Sequence, residues 1–258
     1  MEVVIAEDED AVARLAADAV AAALRRPAPV IGLATGSSPL PTYRELIARC
    51  RADALSFRAA RAVTLDEYVG LPPGHPQSYR AVIRRELVDH VDLDPDHLFT
   101  PDVRADDIAA ACADYDRLLT DLGVDVQLLG IGADGHLAFN EPGSSLGSRT
   151  RVKTLTDRTR HDNARFFASV DEVPRHVVTQ GLATIRGAGH LVMVATGATK
   201  AGPVAAAVEG PVTASCPASV LQLHPHVSVL VDEAAATELR LADYYRETFR
   251  HKPGWQGL

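Results

Sequence analysis

The chain has 258 residues, 47% of them hydrophobic, with 26 basic against 34 acidic side chains and a net charge of −8. That is enough apolar material for a full core, and the acidic surplus argues against a nucleic-acid partner, which would be gripped through a basic surface. An anionic small molecule stays open, because local basic residues can sit on an acidic protein. Cys50, Cys112 and Cys216 are few, odd in number and without zinc-type spacing, so reduced thiols in a cytoplasmic protein are expected. The start, "MEVVIAEDED", lacks the basic region and long apolar core of an export signal. No apolar run is long enough to span a bilayer, so no membrane partner is expected.

In chain order, Val3–Ala6 is a short β-type run, and 8–25 carries Val12, Leu15, Ala16, Ala19 and Ala23 at helical spacing. "PVIGLA" (29–34) reads as a buried strand. "SPLPTYRELIARC" reads as a helix with Ser38 as N-cap and Pro39 at its first position. "RAVTLDEY" (61–68) reads as strand then loop, and 77–90 and 105–121 as helices. "VDVQLLGIG" (124–132) is the most hydrophobic strand. "HLVMVATG" (190–197) and "HVSVLVDE" (226–233) are two more, each followed by a helical pattern. Strands that are apolar on both faces and alternate with helices predict an α/β fold: a single-domain, Rossmann-like open sheet, mostly parallel, with helices on both faces. No internal repeat or linker divides residues 1–258. Ligands of such sheets bind at the carboxyl ends of the strands.

Those ends hold the chemistry. "ATGSSP" (34–39) places Gly36, Ser37 and Ser38 ahead of a helix, an anion-site pattern without the spacing or lysine of a P-loop. "LDEY" places Asp66 and Glu67 after the third strand, either as a solvated turn or with Asp66 as a general base. "LLGIGADGHLAFNEPGSS" (128–145) carries Gly130, Gly132 and Gly135 in the dinucleotide pattern. However, Asn140, Pro142 and Gly143 disrupt the helix that a dinucleotide site needs, so the glycines are read as packing against another ligand. In the same stretch His136 lies between Asp134 and Glu141, two acids that can orient an imidazole. A metal site ranks low, because no second histidine recurs at ligand spacing. "ATGATK" (195–200) ends in Lys200 and "TRHDNARFF" (159–167) puts Arg165 on a helix; the two can grip a phosphate.

Together these stretches resemble the glucosamine-6-phosphate deaminase family. "LATGSSP", "LDEYVGLPPGHPQSY", "GIGADGHLAFNEPGSSLGSRTRVKTL", "NARFF", "ATGATKA", "AVEGPVTASCPASVLQLHP" and "DEAAATEL" occur in family order between Leu33 and Leu239. The resemblance implies conversion of D-glucosamine 6-phosphate and water to D-fructose 6-phosphate and ammonia, formally in the hydrolase class, with no metal and no organic cofactor. It implies that His136 shuttles the ring-opening proton, that Asp134 and Glu141 tune it, and that Asp66 removes the C2 proton. It assigns phosphate binding to Gly36, Ser37 and Ser38 on one side and Arg165 and Lys200 on the other, under a lid around "HDNARFF". Some members are hexamers activated by N-acetylglucosamine 6-phosphate through residues matching Ser144, Ser145, Arg151, Lys153 and Thr154. Here the start of the chain departs from their pattern, so an activator site and a simple brace for the active-site loop both stay open, as does a homo-oligomer. Two rivals are a 6-phosphogluconolactonase, which shares "GxGxDGH" but needs no C2 base, and a non-catalytic sugar-phosphate sensor. "LAFNEPGSS" and "DEYVG" favour the deaminase.

Overall fold

The computed structural model describes residues 1–258 apart from the side chains of Arg158 and Asp162. Seven parallel strands form the main sheet: β1 (Glu2–Ala6), β2 (Val30–Leu33), β3 (Arg61–Thr64), β5 (Leu98–Phe99), β6 (Val126–Leu129), β9 (His190–Ala195) and β10 (Val227–Asp232). Their spatial order is β1-β10-β9-β6-β2-β3-β5. After β2 the chain builds outward through β3 and β5. It then returns to the other side of β2 with β6 and builds outward through β9 and β10. The reversal makes a crevice between β2 and β6 at their carboxyl ends, the place where open α/β sheets bind ligands.

Alternate residues of each strand enter opposite cores, which is why these strands read as unbroken apolar runs. Ile31, Leu33, Val126, Leu128, Val192 and Val194 face one core. Helices α1 (Glu9–Leu24), α2 (Leu40–Arg51) and α3 (Tyr79–Glu86) cover it with Val12, Ala16, Val20, Tyr43, Leu46 and Ile83. Leu129, Leu191, Met193, Val229 and Val231 face the other, covered by α6 (Leu182–Ile185) and α7 (Ala201–Val208). There α4 (Ile108–Leu122) packs Tyr115 and Leu119 against Val30 and Val63. The buried face of α1 is rich in alanine, with Ala13, Ala16, Ala17, Ala19 and Ala23 all buried. Its start is fixed by Asp8, whose carboxylate accepts the Ala11 N–H at 2.7 Å, a cap worth about 1 kcal/mol.

The structure adds a second sheet that the sequence reading did not contain. β4 (Asp66–Tyr68), β8 (His176–Thr179) and β7 (Arg151–Thr154) form an antiparallel sheet in the order β4-β8-β7. The strands are short and end in charged or polar residues, so they carry too little alternation to be read as strands. Asp66 is therefore on a strand rather than a loop, and it is buried together with Glu67. Other corrections are local. Ser38 does not cap α2, which starts at Leu40 with Pro39 in the cap position and no side-chain cap. The expected helix at 77–90 stops at Glu86 and tightens into a 3-10 turn over Val88–His90. The pattern after residue 233 forms turns, and the last helix, α8 (Ala242–Arg250), begins later. Arg165 lies in a 3-10 turn, Ala164–Phe166, following α5 (Asp157–Asn163).

Candidate active site

Four neighbouring strands of the main sheet, β9, β6, β2 and β3, deliver the predicted residues in that order: Lys200, then 130–136, then 34–38, then the approach to Asp66. The end of β2 is locked by the buried Tyr43. Its hydroxyl donates to the Ala34 carbonyl at 2.7 Å and accepts the Ala34 N–H at 3.0 Å. Beyond it the chain turns at Gly36, whose φ of +95° is accessible to glycine at little cost. Among the described residues, the amides of Thr35, Gly36, Ser37 and Ser38 have no protein acceptor, and Gly36 and Ser37 are exposed. The helix behind them contributes less than expected. Pro39 and Pro41 have no N–H, and the Leu40 N–H is used by the Ser37 carbonyl at 3.2 Å. The amides open to an anion here are therefore those of the loop itself rather than of the helix end.

After β6 the chain reverses over Gly132–His136. The Gly135 N–H bonds to the Gly132 carbonyl, and the Gly132 N–H to the His136 carbonyl, each at 3.0 Å. The turn folds the His136 ring back over Gly132. A Cβ on that glycine would lie 2.1 Å from the ring's Cε1 and 2.2 Å from Nδ1. Nδ1 of His136 and the Asp134 carboxylate are 2.7 Å apart, and the same oxygen takes the His136 N–H at 3.2 Å. With Nδ1 committed, Nε2 is the nitrogen available to a ligand, and the ring remains 34% exposed. Glu141 does not join this pair. Its carboxylate accepts from the Thr159 hydroxyl, so it ties the histidine loop to α5 instead of to the imidazole.

Asp66 approaches from the second sheet. Its register partner is Thr179, and the Thr179 hydroxyl takes the Phe139 N–H at 3.2 Å, which joins the Asp66 strand to the histidine loop. The Asp66 side chain has no hydrogen-bond donor among the described residues and is 5% exposed. Burial first, and the adjacent Glu67 second, push its carboxyl well above the usual carboxylate range. On the opposite flank, Lys200 donates from Nζ to the Ile131 carbonyl at 2.6 Å. Burial lowers its pKa, the charge of Arg165 lowers it further, and Asp134 raises it. Two cations are thus held near one another, an arrangement that a bound anion relieves. Arg165 itself is exposed and lies over the Phe166 ring at 4.7 Å.

The loop after His136 is braced from beneath. Asn140 is fully buried; its Nδ2 donates to the carbonyls of Leu137 and Gln180, and its Oδ1 accepts from Arg151 at 2.9 Å. Of the residues linked by resemblance to an activator, Arg151 is thus engaged with the loop that follows His136. Ser144 is buried, with no partner for its hydroxyl among the described residues, Ser145 accepts the Gly147 N–H, and Lys153 and Thr154 lie along β7. Asp232, unremarked in the sequence, accepts the N–H groups of Gly197 and Ala235 and so fixes the loop carrying Lys200. A carboxylate at the end of a strand was the available signal for it. A separate cavity of about 420 Å³ lies beside the 69–75 loop, lined by Pro72, His75, Arg160 and Arg175; it contains none of the predicted site residues.

The model of the family described as glucosamine-6-phosphate isomerases/6-phosphogluconolactonase matches residues 6–230. The chain is 61% identical to a glucosamine-6-phosphate deaminase of Arthrobacter sp. (strain FB24) and 60% identical to one of Rhodococcus opacus (strain B4), each match covering the whole of both chains. Among solved structures, a monomeric glucosamine-6-phosphate deaminase superposes with a TM-score of 0.89 at 41% identity, covering 92% of this chain and 100% of that one. The 6-phosphogluconolactonase of Trypanosoma brucei shares the fold with a TM-score of 0.72 at 23% identity, over 92% of this chain and 98% of that one. The chain belongs to the glucosamine-6-phosphate isomerase/6-phosphogluconolactonase family, among its glucosamine-6-phosphate deaminases.

Proposed function

We infer that this protein converts D-glucosamine 6-phosphate and water to D-fructose 6-phosphate and ammonia. The observation that carries this reading is a buried carboxylate at Asp66, unpartnered among the described residues, on a strand paired with β8, which in turn is bonded to the loop of the carboxylate-bound imidazole of His136. Aldose–ketose isomerisation needs a carbon base and an oxygen acid–base in one cleft; lactone hydrolysis has no use for the first. The chemistry is an isomerisation with loss of ammonia rather than cleavage of an ester.

The substrate phosphate sits on the free amides of Gly36 to Ser38 and the Ser37 hydroxyl, opposite Lys200 and Arg165. His136, held at Nδ1 by Asp134, works through Nε2: it takes the proton from the C1 hydroxyl and returns it to the ring oxygen, opening the pyranose. Asp66 then removes the C2 proton. The electron pair forms the C1–C2 enolamine as the C1 oxygen takes up a proton from the substrate's ammonium group, and Asp66 then delivers the C2 proton to C1. The resulting C2 imine takes up water and releases ammonia. Glu141, through Thr159, links closure of the lid to the histidine loop. Three free cysteines suit a reducing, cytoplasmic setting. Among the described residues no helix is long and apolar enough to cross a membrane.

For Arg151 and its neighbours the bracing role is the better supported, because the guanidinium is already bonded to Asn140 and to the Arg149 carbonyl. Saturation curves with and without N-acetylglucosamine 6-phosphate should then superimpose; a shifted curve would establish activation. The function itself is tested with Asp66→Asn. Turnover, read as ammonia and fructose 6-phosphate, should fall by about 10²–10⁴-fold, while sugar-phosphate binding by calorimetry persists. Lactonase activity without deamination in the unaltered protein would move the assignment to the rival.

A further inference from the structure

Asp66 and Glu67 are consecutive, both buried, and on opposite faces of a strand. Among the described residues only one of the two carboxylates has hydrogen-bond partners. Oε1 of Glu67 accepts the N–H groups of Tyr68 at 2.9 Å and Tyr79 at 2.8 Å, and Oε2 accepts that of Arg80 at 2.9 Å. Tyr79 and Arg80 open α3, and the next N–H, from Ala81, goes to the Ser78 hydroxyl at 3.2 Å. Glu67 therefore bolts β4 to the first turn of α3. Resting on the deaminase reading above, we propose that Glu67 is a positioning residue that fixes the Asp66 carboxylate in place and governs its basicity through its own negative charge.

The two acids divide the labour because their surroundings differ. Burial raises the Glu67 carboxyl as well, but the N–H groups of Arg80, Tyr79 and Tyr68 and the charge of Arg80 oppose that rise and favour its charged form. Among the described residues no donor reaches the Asp66 carboxylate. The groups around it are Glu67 and Tyr68 on its own strand, Tyr79 on α3 and Tyr115 on α4, with Thr179 and Gln180 from the β8 side. Tyr68 and Tyr79 pack with ring centroids 4.7 Å apart, and the Tyr115 hydroxyl is spent on Thr64. Arg80 lies on the Glu67 side, with its guanidinium directed to the Leu98 and Pro95 carbonyls. When the pair shares a limited capacity for charge, Glu67 ionises first and Asp66 becomes the more strongly basic of the two. The raised Asp66 carboxyl, with Glu67 as its second cause, agrees with that order. A stronger base takes a carbon-bound proton faster, provided that it is ionised at the working pH.

Two variants separate charge from reach, using ammonia release from glucosamine 6-phosphate across a pH series. Glu67→Gln removes the charge. The acid limb of kcat/KM should move to lower pH by roughly one unit, with a plateau kcat about tenfold lower. Ionisations of the substrate are common to both enzymes and cancel in the comparison. Glu67→Asp keeps the charge but is one methylene too short for α3: kcat should fall by about tenfold with the acid limb unmoved. An acid limb in Glu67→Gln that overlays the unaltered enzyme overturns the proposal, whatever the loss of rate. Should Glu67→Gln fail to fold, unchanged kcat in Glu67→Asp overturns it equally. Absence of any turnover by the unaltered protein would defeat the functional reading instead, so the two failures are distinguishable.

Discussion

The glycine at position 132 should be indispensable to catalysis and nearly irrelevant to folding. Carbon atoms in contact settle at about 3.5–4 Å, whereas a methyl group on Gly132 would lie 2.1 Å from Cε1 and 2.4 Å from Nε2 of His136. The ring must retreat by more than about 1 Å, and a misplacement of that size at a reacting group costs on the order of 10²-fold in rate, equivalent to about 3 kcal/mol of transition-state stabilisation. The fold has an escape: the backbone at Gly132 does not adopt a positive φ, and the ring, 34% exposed, can swing outward by giving up its bond to Asp134. Gly132→Ala should therefore melt close to the unaltered protein while kcat/KM for glucosamine 6-phosphate drops by about 10²-fold. Steady-state ammonia release and a thermal melt on the same preparation test this. A variant within threefold of normal kcat/KM would refute the reasoning, because it would mean that the position of the ring over Gly132 is not the reactive one.

Lys200→Met should raise KM by about 10–100-fold, the value of a charge-assisted hydrogen bond to a phosphate; an unchanged KM would remove Lys200 from the phosphate site. Asp116 is a buried acceptor for Arg149 at 2.7 Å, Thr150 Oγ1 at 2.5 Å and Thr184 Oγ1 at 2.8 Å. Asp116→Ala strands two hydroxyls and should lower unfolding free energy by about 3 kcal/mol, read by urea titration, with a loss under about 1 kcal/mol counting against the hub. His190 is buried against His226, and burial, followed by the charges of His226, His224 and Lys252, lowers its pKa from 6.5 to about 4. Between those values the unfolded chain binds a proton that the folded chain refuses. This contribution is whole above about pH 6.5 and is lost as pH falls, by about 2 kcal/mol at about pH 5. His190→Gln should flatten that part of the pH dependence of unfolding, and an identical slope in the variant would contradict it.

The candidate site was legible in part because strand ends are local features. Apolar runs such as "VDVQLLG" announce a strand buried on both faces, and the small or charged residues that follow mark where the strand reaches the sheet edge. His136 and Asp134 are two residues apart, so their pairing is a matter of a single turn and needs no long-range information. Glu141 shows the limit. It is only five residues from His136, yet its hydrogen bond goes to Thr159, because α5 arrives there from elsewhere in the chain. Ser38 failed as a helix cap for a similar reason: two prolines shift the start of α2, and Ser38 lies beside Gly130 across the crevice instead.

The sequence by itself determined the class of the fold, the strand ends worth inspecting and the kinds of group placed at them, since periodicity, turn residues and side-chain chemistry are properties of short segments. Only the tertiary structure decided that Asp66 is buried on a strand, that Glu67 secures that strand to α3, and that β8 ties it to the histidine loop. Burial and long-range pairing set the basicity of a carboxylate, and neither exists until segments far apart in the chain have packed together.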